Sequence, residues 1–90
     1  METSNNHYFY VLECRDGSFY GGYTTNIEKR VNTHNAGKGA KYTRGRGPVH
    51  LIHFETYQTV TEAMRAEYAF KQLTRKQKMD YLQKGGLQND

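Results

Sequence analysis

The chain has 90 residues, which suffices for one small domain but not for two separate apolar cores. Its 13 lysines and arginines exceed its 9 acidic residues, and the formal net charge of +4 favours an anionic partner. A single cysteine excludes an internal disulfide, and the lack of a secretory leader or a long apolar run predicts a cytoplasmic protein that does not contact membranes.

The first predicted elements are the two aromatic strands of a β-hairpin. Residues 8–14 and 18–23 are rich in aromatic side chains, and Asp16-Gly17 between them is a turn signal. Gly21-Gly22, near the end of the second strand, weakens that strand but lets another group approach its backbone closely. Cys14 has no recognisable catalytic partner, so we interpret it as a buried or half-buried strand residue.

Two tyrosines of this hairpin are candidates for chemistry. Tyr10 and Tyr20 lie on consecutive strands, where a pair of hydroxyl groups could order a water molecule or contact a phosphate. A tyrosine is a poor base at neutral pH because its unperturbed pKa is about 10, so this role requires a nearby cation. The alternative is that both rings are ordinary core aromatics, since the chain contains eight tyrosines.

A first helix is predicted for residues 27–34. Asn26 is suitable as its N-cap, and Gly37 ends it. Arg30 and His34 are four residues apart, so we expect both to project from one face of the helix. Arg30 can present a planar fork of donors to a phosphate, although an arginine on such a helix is commonly just solvated. His34 is suited to assist proton transfer or to bind phosphate, and the spacing of the histidines does not favour a zinc site.

Residues 37–48 form a cationic segment, which we call the basic loop. It contains no acidic residue, and its four basic residues are Lys38, Lys41, Arg44 and Arg46. Such side chains neutralise backbone phosphates, and Tyr42 between them is able to stack on an unpaired base. The alternative is a flexible surface loop, but the absence of acidic residues favours contact with nucleic acid.

The rest of the chain predicts one strand and two helices. Residues 49–57 have strand composition with apolar residues in both phases, so we expect this strand to be covered on both faces. Two capping-box signatures begin the helices, at Thr59 with Glu62 and at Thr74 with Gln77.

Two consecutive glycines, Gly85-Gly86, are expected to stop the last helix. The resulting order of elements is β-β-α-β-α-α. It predicts a single α/β domain, an α+β sandwich with a small three-stranded antiparallel sheet flanked by helices. We expect its core to span about residues 8–82 and its termini to be loose.

Glu67 is an anomaly within the apolar stripe of the predicted second helix. A carboxylate in such a stripe is costly unless it is paired or bound to a cation. Mg²⁺ fits this position because it prefers oxygen ligands and often binds through one or two carboxylates plus a substrate phosphate. The alternatives are an ion pair with Arg30, Lys71 or another basic residue, or a stripe edge that is simply hydrated.

The order of these residues resembles the GIY-YIG nuclease superfamily. The resemblance rests on the tyrosine triplets in residues 8–10 and 20–22, on Arg30 and His34 behind them, and on Glu67 in a later helix. Residues 37–45, Gly-Lys-Gly-Ala-Lys-Tyr-Thr-Arg-Gly, are similar to a signature of the small bacterial UPF0213 group. The superfamily has the same architecture of a small sheet with flanking helices, so the resemblance implies the same fold.

The resemblance also implies roles for particular residues. The expected catalytic positions are Tyr10, Tyr20, Arg30, His34 and Glu67. Tyr20 would be the general base, Arg30 would bind the scissile phosphate, His34 would assist, and Glu67 would hold one divalent ion, Mg²⁺ or Mn²⁺. Gly22 would permit tight packing near the site, and Lys41 with Tyr42 would lie at its rim.

The chain departs from the family pattern at three points. Residues 8–10 lack the glycine and isoleucine of the first triplet, and Gly21 replaces the usual isoleucine of the second. Many relatives carry an asparagine near the C-terminal end of the domain, whereas none occurs between Glu67 and Gly86, where Gln72 or Gln77 are the possible substitutes.

The leading functional prediction is a metal-dependent endonuclease acting on structured, branched or single-stranded nucleic acid, with DNA favoured over RNA and a role in repair or recombination. The absence of an appended specificity module argues against sequence-specific cleavage. One alternative is a non-catalytic module that binds nucleic acid with the same fold and basic loop. Another is an adaptor whose basic face docks an acidic protein, although no obligate protein partner is indicated.

Overall fold

A computed structural model describes residues 6–87, with side chains through residue 84, and these residues form three strands and three α-helices. The strands are β1 (His7–Glu13), β2 (Phe19–Thr24) and β3 (His50–Tyr57). The α-helices are α1 (Ile27–Asn35), α2 (Val60–Lys71) and α3 (Arg75–Leu87). A single 3-10 turn, Lys41–Thr43, lies within the basic loop. The predicted order of elements and the three-stranded sheet are therefore confirmed.

The sheet has β1 at its centre, with the order β2-β1-β3 and antiparallel pairing on both sides. The predicted hairpin turn joins β1 to β2, with Gly17 in the left-handed region at φ 85°. The Asp16 carboxylate supports this turn by accepting hydrogen bonds from the Ser18 backbone N–H at 3.1 Å and the Ser18 hydroxyl at 2.6 Å. The central position of β1 explains why four consecutive side chains are fully buried: Phe9, Tyr10, Val11 and Leu12.

The two faces of the sheet are covered by separate apolar layers. On the α1 face, Tyr10 and Leu12 pack with Cys14 and Val49, and the half-buried Tyr20 and Val31 close this layer. On the other face, Phe9 and Val11 pack against Phe70 of α2, and α3 adds Tyr81 and Leu82. Because successive residues of a strand point to opposite faces, the central strand supplies apolar side chains to both layers.

The helix starts follow the predicted caps. The Asn26 side chain accepts a hydrogen bond from the Lys29 backbone N–H at 3.0 Å at the start of α1. Thr59 accepts from the Glu62 N–H at 3.1 Å at the start of α2. At the start of α3, Thr74 and Gln77 exchange hydrogen bonds of 3.2 and 2.9 Å, so this capping box is complete.

The predicted stop of the last helix at Gly85-Gly86 is wrong, because α3 continues to Leu87. A glycine inside a helix costs about 1 kcal/mol relative to alanine but does not forbid the helical conformation. The predicted loose termini fall mostly on residues 1–5 and 88–90, which lie outside the described residues. The structured region begins slightly earlier than expected, because His7 already pairs with Tyr57.

The expectation that β3 is covered on both faces is also wrong, because β3 is an edge strand. His53, Glu55 and Tyr57 are half-buried on the side of α2 and α3, whereas Phe54 on the other side is 51% exposed. Pairing with β1 shifts register between Val11 and Leu12, so Ile52 is an extra residue. This shift explains why apolar residues occur in both phases of the strand sequence.

A carboxylate network fixes α3 to β3. Glu55 accepts hydrogen bonds from the hydroxyl groups of Tyr57 and Tyr81, and its Oε2 lies 2.8 Å from Nε2 of His53. Burial alone would raise the pKa of the Glu55 carboxyl, but the hydrogen bonds from His53, Tyr57 and Tyr81 hold it below its usual range. Within residues 6–87, no helix combines the length and apolar character that crossing a bilayer requires.

Candidate active site

A cleft of about 520 Å³ opens on the α1 face, between β2, α1 and the start of the basic loop. Tyr20 and His34 line this cleft together with three cationic side chains, Lys29, Arg30 and Lys38. None of its lining residues is acidic. A concave surface with three positive charges and no negative charge is suited to bind an anion such as a phosphate group.

A chain of buried hydrogen bonds lies beneath the cleft. The Tyr10 hydroxyl is 2.9 Å from Nε2 of His34, and Nδ1 of His34 is 2.8 Å from Oγ1 of Thr43. Oγ1 of Thr43 is also 2.9 Å from the backbone carbonyl oxygen of Ala40, which can only accept. The single hydroxyl proton of Thr43 therefore goes to Ala40, so Nδ1 of His34 donates to Thr43 and Nε2 accepts from Tyr10. This order assigns the neutral Nδ1–H tautomer to His34.

The environment keeps both rings of this chain neutral at neutral pH. Burial, and then the nearby Tyr20 hydroxyl, raise the pKa of Tyr10 to about 12 against the opposing charge of Arg30. Burial also lowers the pKa of His34, and the Arg30 guanidinium lowers it further. Tyr10 therefore keeps its proton and donates a hydrogen bond to His34, which leaves Tyr10 unsuited to act as a base.

Two glycines make room for these rings. A Cβ atom at Gly22 would lie 2.5 Å from the Tyr10 hydroxyl oxygen, and a Cβ atom at Gly39 would lie 2.2 Å from Nδ1 of His34. Both distances are far below normal carbon contacts, so any larger residue would displace the ring. Gly22 is the glycine for which the sequence predicts tight packing near the site, and it indeed lies against Tyr10.

Tyr20 and Arg30 border the cleft above this buried chain. The Tyr20 ring centroid lies 6.4 Å from that of Tyr10 and 5.3 Å from that of His34. Arg30 is exposed, and its Nη1 approaches the Tyr23 carbonyl oxygen at 3.5 Å. The structure thus brings together four of the five predicted catalytic residues. Arg30 and His34 do not share one environment, however, because His34 is only 2% exposed.

The basic loop separates into exposed cations and one structural arginine. Lys38, Lys41 and Arg44 are exposed. Arg46 instead pairs with the hairpin turn, its Nε lying 3.1 Å from Oδ2 of Asp16. Its guanidinium carbon also lies 4.3 Å from the centroid of the Tyr42 ring.

Tyr42 is therefore engaged within the protein as well as exposed to solvent. Its ring stacks on Tyr20 with a centroid separation of 5.9 Å, and its carbonyl oxygen accepts a 2.8 Å hydrogen bond from Arg46. It remains 40% exposed. These contacts make Tyr42 a wall of the site next to Tyr20, consistent with its predicted place at the rim.

Glu67 approaches the site from the opposite side of the sheet, on α2. Its side chain is 17% exposed, and Oε2 lies 2.8 Å from Nζ of Lys71. Among the alternatives left open by the sequence, the ion pair with Lys71 is the one that forms. Lys71 Nζ also lies 5.6 Å from the centroid of the Tyr20 ring. Glu67 does not line the cleft, but its negative charge acts on the Tyr10 hydroxyl and contributes to the raised pKa of that group.

Glu67 is the single predicted protein ligand for a divalent ion. Among the described residues, no group of three His, Cys, Asp or Glu side chains is arranged to hold a metal ion. One carboxylate still suits Mg²⁺, which retains several waters and takes further oxygen ligands from a substrate phosphate. Glu67 would hold such an ion, and in the structure its charge is balanced by Lys71.

Three structural contacts of the site are absent from the sequence prediction. Thr43 and Gly39 position His34, and the Asn35 amide holds Val49 through bonds of 2.7 Å to its N–H and 3.2 Å to its carbonyl. The density of glycines after His34 is a signal of close backbone approach that could have indicated Gly39. No local pattern identifies Thr43 or Asn35, because both contacts depend on how the loop folds back.

Known proteins are similar to this chain in sequence and in fold. The GIY-YIG catalytic domain model matches residues 6–80. A UPF0213 protein of Bacillus licheniformis is 65% identical over 83 residues, covering 92% of this chain and 84% of that protein. A UPF0213 protein of Enterococcus faecalis is 62% identical over 84 residues, covering 91% of this chain and 96% of that protein.

Two solution NMR structures are also similar. A UPF0213 protein from Bacillus halodurans has a TM-score of 0.60 at 52% identity, covering 90% of this chain and 87% of that chain. A protein from E. faecalis has a TM-score of 0.65 at 58% identity, covering 97% and 93%. The GIY-YIG domain indicates a nuclease family, whereas the names of the UPF0213 relatives give no activity or substrate. On both sequence and fold, this chain belongs to the GIY-YIG family and, within it, to the UPF0213 group.

Proposed function

We propose that this protein is a metal-dependent endonuclease that hydrolyses phosphodiester bonds in structured, branched or single-stranded nucleic acid. DNA is the favoured substrate, in repair or recombination. The observation that carries this proposal is the acid-free cleft, where Tyr20 and Arg30 lie above a neutral Tyr10–His34 pair. A phosphate in that cleft would meet donors and positive charge on several sides.

Arg30 and Tyr20 have different tasks in the proposed reaction. Arg30 donates hydrogen bonds to the non-bridging oxygens of the phosphate and neutralises the charge that develops there. Deprotonated Tyr20 accepts the proton of the attacking water, whose oxygen bonds to phosphorus while the bond from phosphorus to the 3′ oxygen breaks. Arg30 in the cleft and Lys71, whose Nζ lies 5.6 Å from the centroid of the Tyr20 ring, place positive charge beside this base.

Tyr10 and His34 act as positioning residues in this proposal. Their hydrogen bond keeps Tyr10 protonated and holds its ring 6.4 Å from the Tyr20 ring, measured between centroids. His34 in turn contacts Tyr20 through ring packing at 5.3 Å. This leaves Tyr20 as the tyrosine that faces the cleft.

Glu67 would hold one divalent ion, Mg²⁺ or Mn²⁺, as is typical of GIY-YIG nucleases. When bound, such an ion supplies Lewis-acid polarisation of the phosphate and stabilisation of the leaving oxygen. The Glu67 side chain on α2 is 17% exposed and therefore reachable by an ion, and Lys71 balances its charge in the absence of one. The exposed cations Lys38, Lys41 and Arg44 would contact flanking phosphates.

The test is a cleavage assay on hairpins, flaps, junctions, single strands and intact duplex, in DNA and RNA, with Mg²⁺, Mn²⁺ or a chelator. Glu67→Gln and Arg30→Gln are each expected to lower cleavage by about a hundredfold or more. The matched controls are Asp80→Asn and Arg15→Gln, which remove similar charges from exposed positions outside the cleft. Equal cleavage by site variants and controls would assign the activity to a contaminant or to another site.

A non-catalytic nucleic-acid-binding module is the second candidate. It is supported by the Glu67–Lys71 ion pair, which already balances the carboxylate, and by the lack of an asparagine between residues 67 and 86. In this case the protein binds nucleic acid without cutting it, and Glu67→Gln leaves binding unchanged. Replacing Lys41 and Arg44 together by alanine should reduce the slope of log affinity against log salt by about 1.4–1.8. Absence of binding at low salt would exclude this candidate.

A further inference from the structure

An exposed apolar flank runs along α2 beside Glu67. It consists of Val60, Met64 and Tyr68, which are 42%, 49% and 68% exposed. They are spaced four residues apart, so their side chains form one continuous row on the helix surface. Tyr68 is the most exposed large hydrophobic side chain among the described residues. A ring with this exposure contributes little to the core and presents its face to solvent.

This flank adjoins the acidic residue of the proposed site. Met64 is three residues before Glu67 and four before Tyr68, so it neighbours both on the helix surface. Lys71 is likewise next to both, and its ion pair with Glu67 is formed at 2.8 Å. Lys71 Nζ also lies 5.6 Å from the centroid of the Tyr20 ring, so Lys71 connects the flank with the proposed base.

The charges around Tyr68 fit a nucleic acid. Arg65 lies three residues before it and Lys71 three residues after it, at a Cβ separation of about 5–6 Å for such helical neighbours. Both cations are exposed. The exposed ring thus combines stacking on a base with the positive charge of Arg65 for a neighbouring phosphate, to which Lys71 adds less while it is paired with Glu67.

We propose that Tyr68 stacks on an unpaired nucleobase next to the phosphate held at the cleft, with Met64 and Val60 extending the apolar platform. The inference rests on the proposed function and specifies its substrate: a strand with an unpaired nucleotide beside the scissile bond, as in a single strand, a flap or a gap. In an intact duplex the bases are stacked on each other and paired, so the ring has no base to contact.

The chain contains no tryptophan, which allows a direct measurement of stacking. In Tyr68→Trp the new indole is the single tryptophan, and its fluorescence is expected to be quenched when a single-stranded oligonucleotide binds in the presence of chelator. Phe54→Trp is the matched control, because Phe54 is also exposed but lies on β3, on the far edge of the sheet from β2. Quenching that is equal at both positions, or absent at position 68 under saturating oligonucleotide, would overturn the proposal.

Affinity gives a second, independent readout. Tyr68→Ala is expected to weaken binding of a single strand or a gapped duplex about tenfold, whereas Tyr68→Phe retains it, since stacking requires the ring and not the hydroxyl. Binding of intact duplex should be the same for both variants. A Tyr68→Ala variant that binds single strands as tightly as the parent protein would also overturn the proposal.

These measurements are made without cleavage, so they separate the two levels of the hypothesis. Stacking at position 68 without any cleavage would leave the inference standing and reject the proposed nuclease activity. Cleavage that proceeds equally well on intact duplex, with no stacking signal, would retain the nuclease and reject the role of Tyr68.

Discussion

Replacing Thr43 with valine tests the hydrogen-bond chain beneath the cleft. Valine has nearly the shape of threonine but lacks the hydroxyl group that accepts from Nδ1 of His34 and donates to the Ala40 carbonyl. Thr43 is 1% exposed and His34 is 2% exposed, so water cannot replace the lost acceptor without a rearrangement. The substitution therefore leaves a buried N–H donor unsatisfied.

The expected cost follows from this burial. An unsatisfied buried donor costs about 1–3 kcal/mol, and the half-buried Ala40 carbonyl adds little because it can turn toward water. We expect Thr43→Val to lower the free energy of unfolding by about 2 kcal/mol. Moving the proton of His34 to Nε2 would not remove the cost, because the Tyr10 hydroxyl proton would then lose Nε2 as its acceptor and Nδ1 would face the valine without a donor.

Urea unfolding monitored by circular dichroism measures this cost, and imidazole ¹⁵N chemical shifts report which nitrogen of His34 carries the proton. Thr43→Ser, which retains a hydroxyl group, should restore the Nδ1–H tautomer and part of the stability. Thr61→Val at an exposed position of α2 is the control for the change in side-chain type. A loss in Thr43→Val no larger than in Thr61→Val, or a parent protein with the proton on Nε2, would refute the assigned order of donors.

Three further predictions concern the same site. Gly22→Ala should lower the free energy of unfolding, measured by urea titration, by about 1–3 kcal/mol because the added Cβ would lie 2.5 Å from the Tyr10 hydroxyl oxygen. Gly47→Ala is the control and should cost less, because the nearest atom to a Cβ at Gly47 is 3.9 Å away. Burial lowers the pKa of His34 in the folded state, whereas the histidine of the unfolded chain titrates near 6.5, so the free energy of unfolding should fall as the pH decreases below about 6.5. His34→Gln should remove this dependence between about pH 7.5 and 5.5. An unchanged dependence would locate the titrating group elsewhere. Lys71→Met should strengthen Mn²⁺ binding about twofold in electron paramagnetic resonance titrations without substrate, since a partly exposed ion pair contributes about 0.5 kcal/mol. Glu67→Gln should abolish that binding. Weaker binding by Lys71→Met would contradict competition between the Lys71 ammonium group and the ion for Glu67.

Local patterns predicted those parts of the fold that depend on neighbouring residues. The Asp16-Gly17 turn and the caps at Asn26, Thr59 and Thr74 all form as expected, because a capping side chain needs only a backbone N–H three residues away. Position in the sheet is a different matter. Whether residues 49–57 lie at an edge or between two strands is decided by pairing with distant segments, and the apolar residues on both phases suggested burial that an edge strand does not provide.

In the site, too, contacts between nearby segments were predictable and contacts that depend on distant segments were not. Tyr20 pairs with Leu12 in the hairpin, and Tyr10 is its diagonal neighbour two residues along β1, so their proximity follows from the turn and the ring centroids are 6.4 Å apart. The partner of His34 could not be predicted, because Thr43 reaches it through a loop whose path is set by Arg46 on the hairpin turn and by the Asn35 amide on Val49. Contacts of this kind arise from tertiary packing and leave no periodic pattern in the sequence.

Arg30 and His34 line the same cleft from one helical face, as expected, but they differ in burial. Residues four apart differ by about 40° around a helix, which is enough at the edge of a buried stripe to leave Arg30 exposed and His34 enclosed. The arginine charge then acts on a histidine that is already buried, and both effects lower the pKa of His34. Nε2 of a neutral His34 accepts the hydrogen bond of the Tyr10 hydroxyl, which keeps its own proton. Arg30 therefore acts on both buried rings: its charge lowers the pKa of His34 and also opposes the rise of the Tyr10 pKa, and it is burial that keeps Tyr10 protonated and unsuited to be the base.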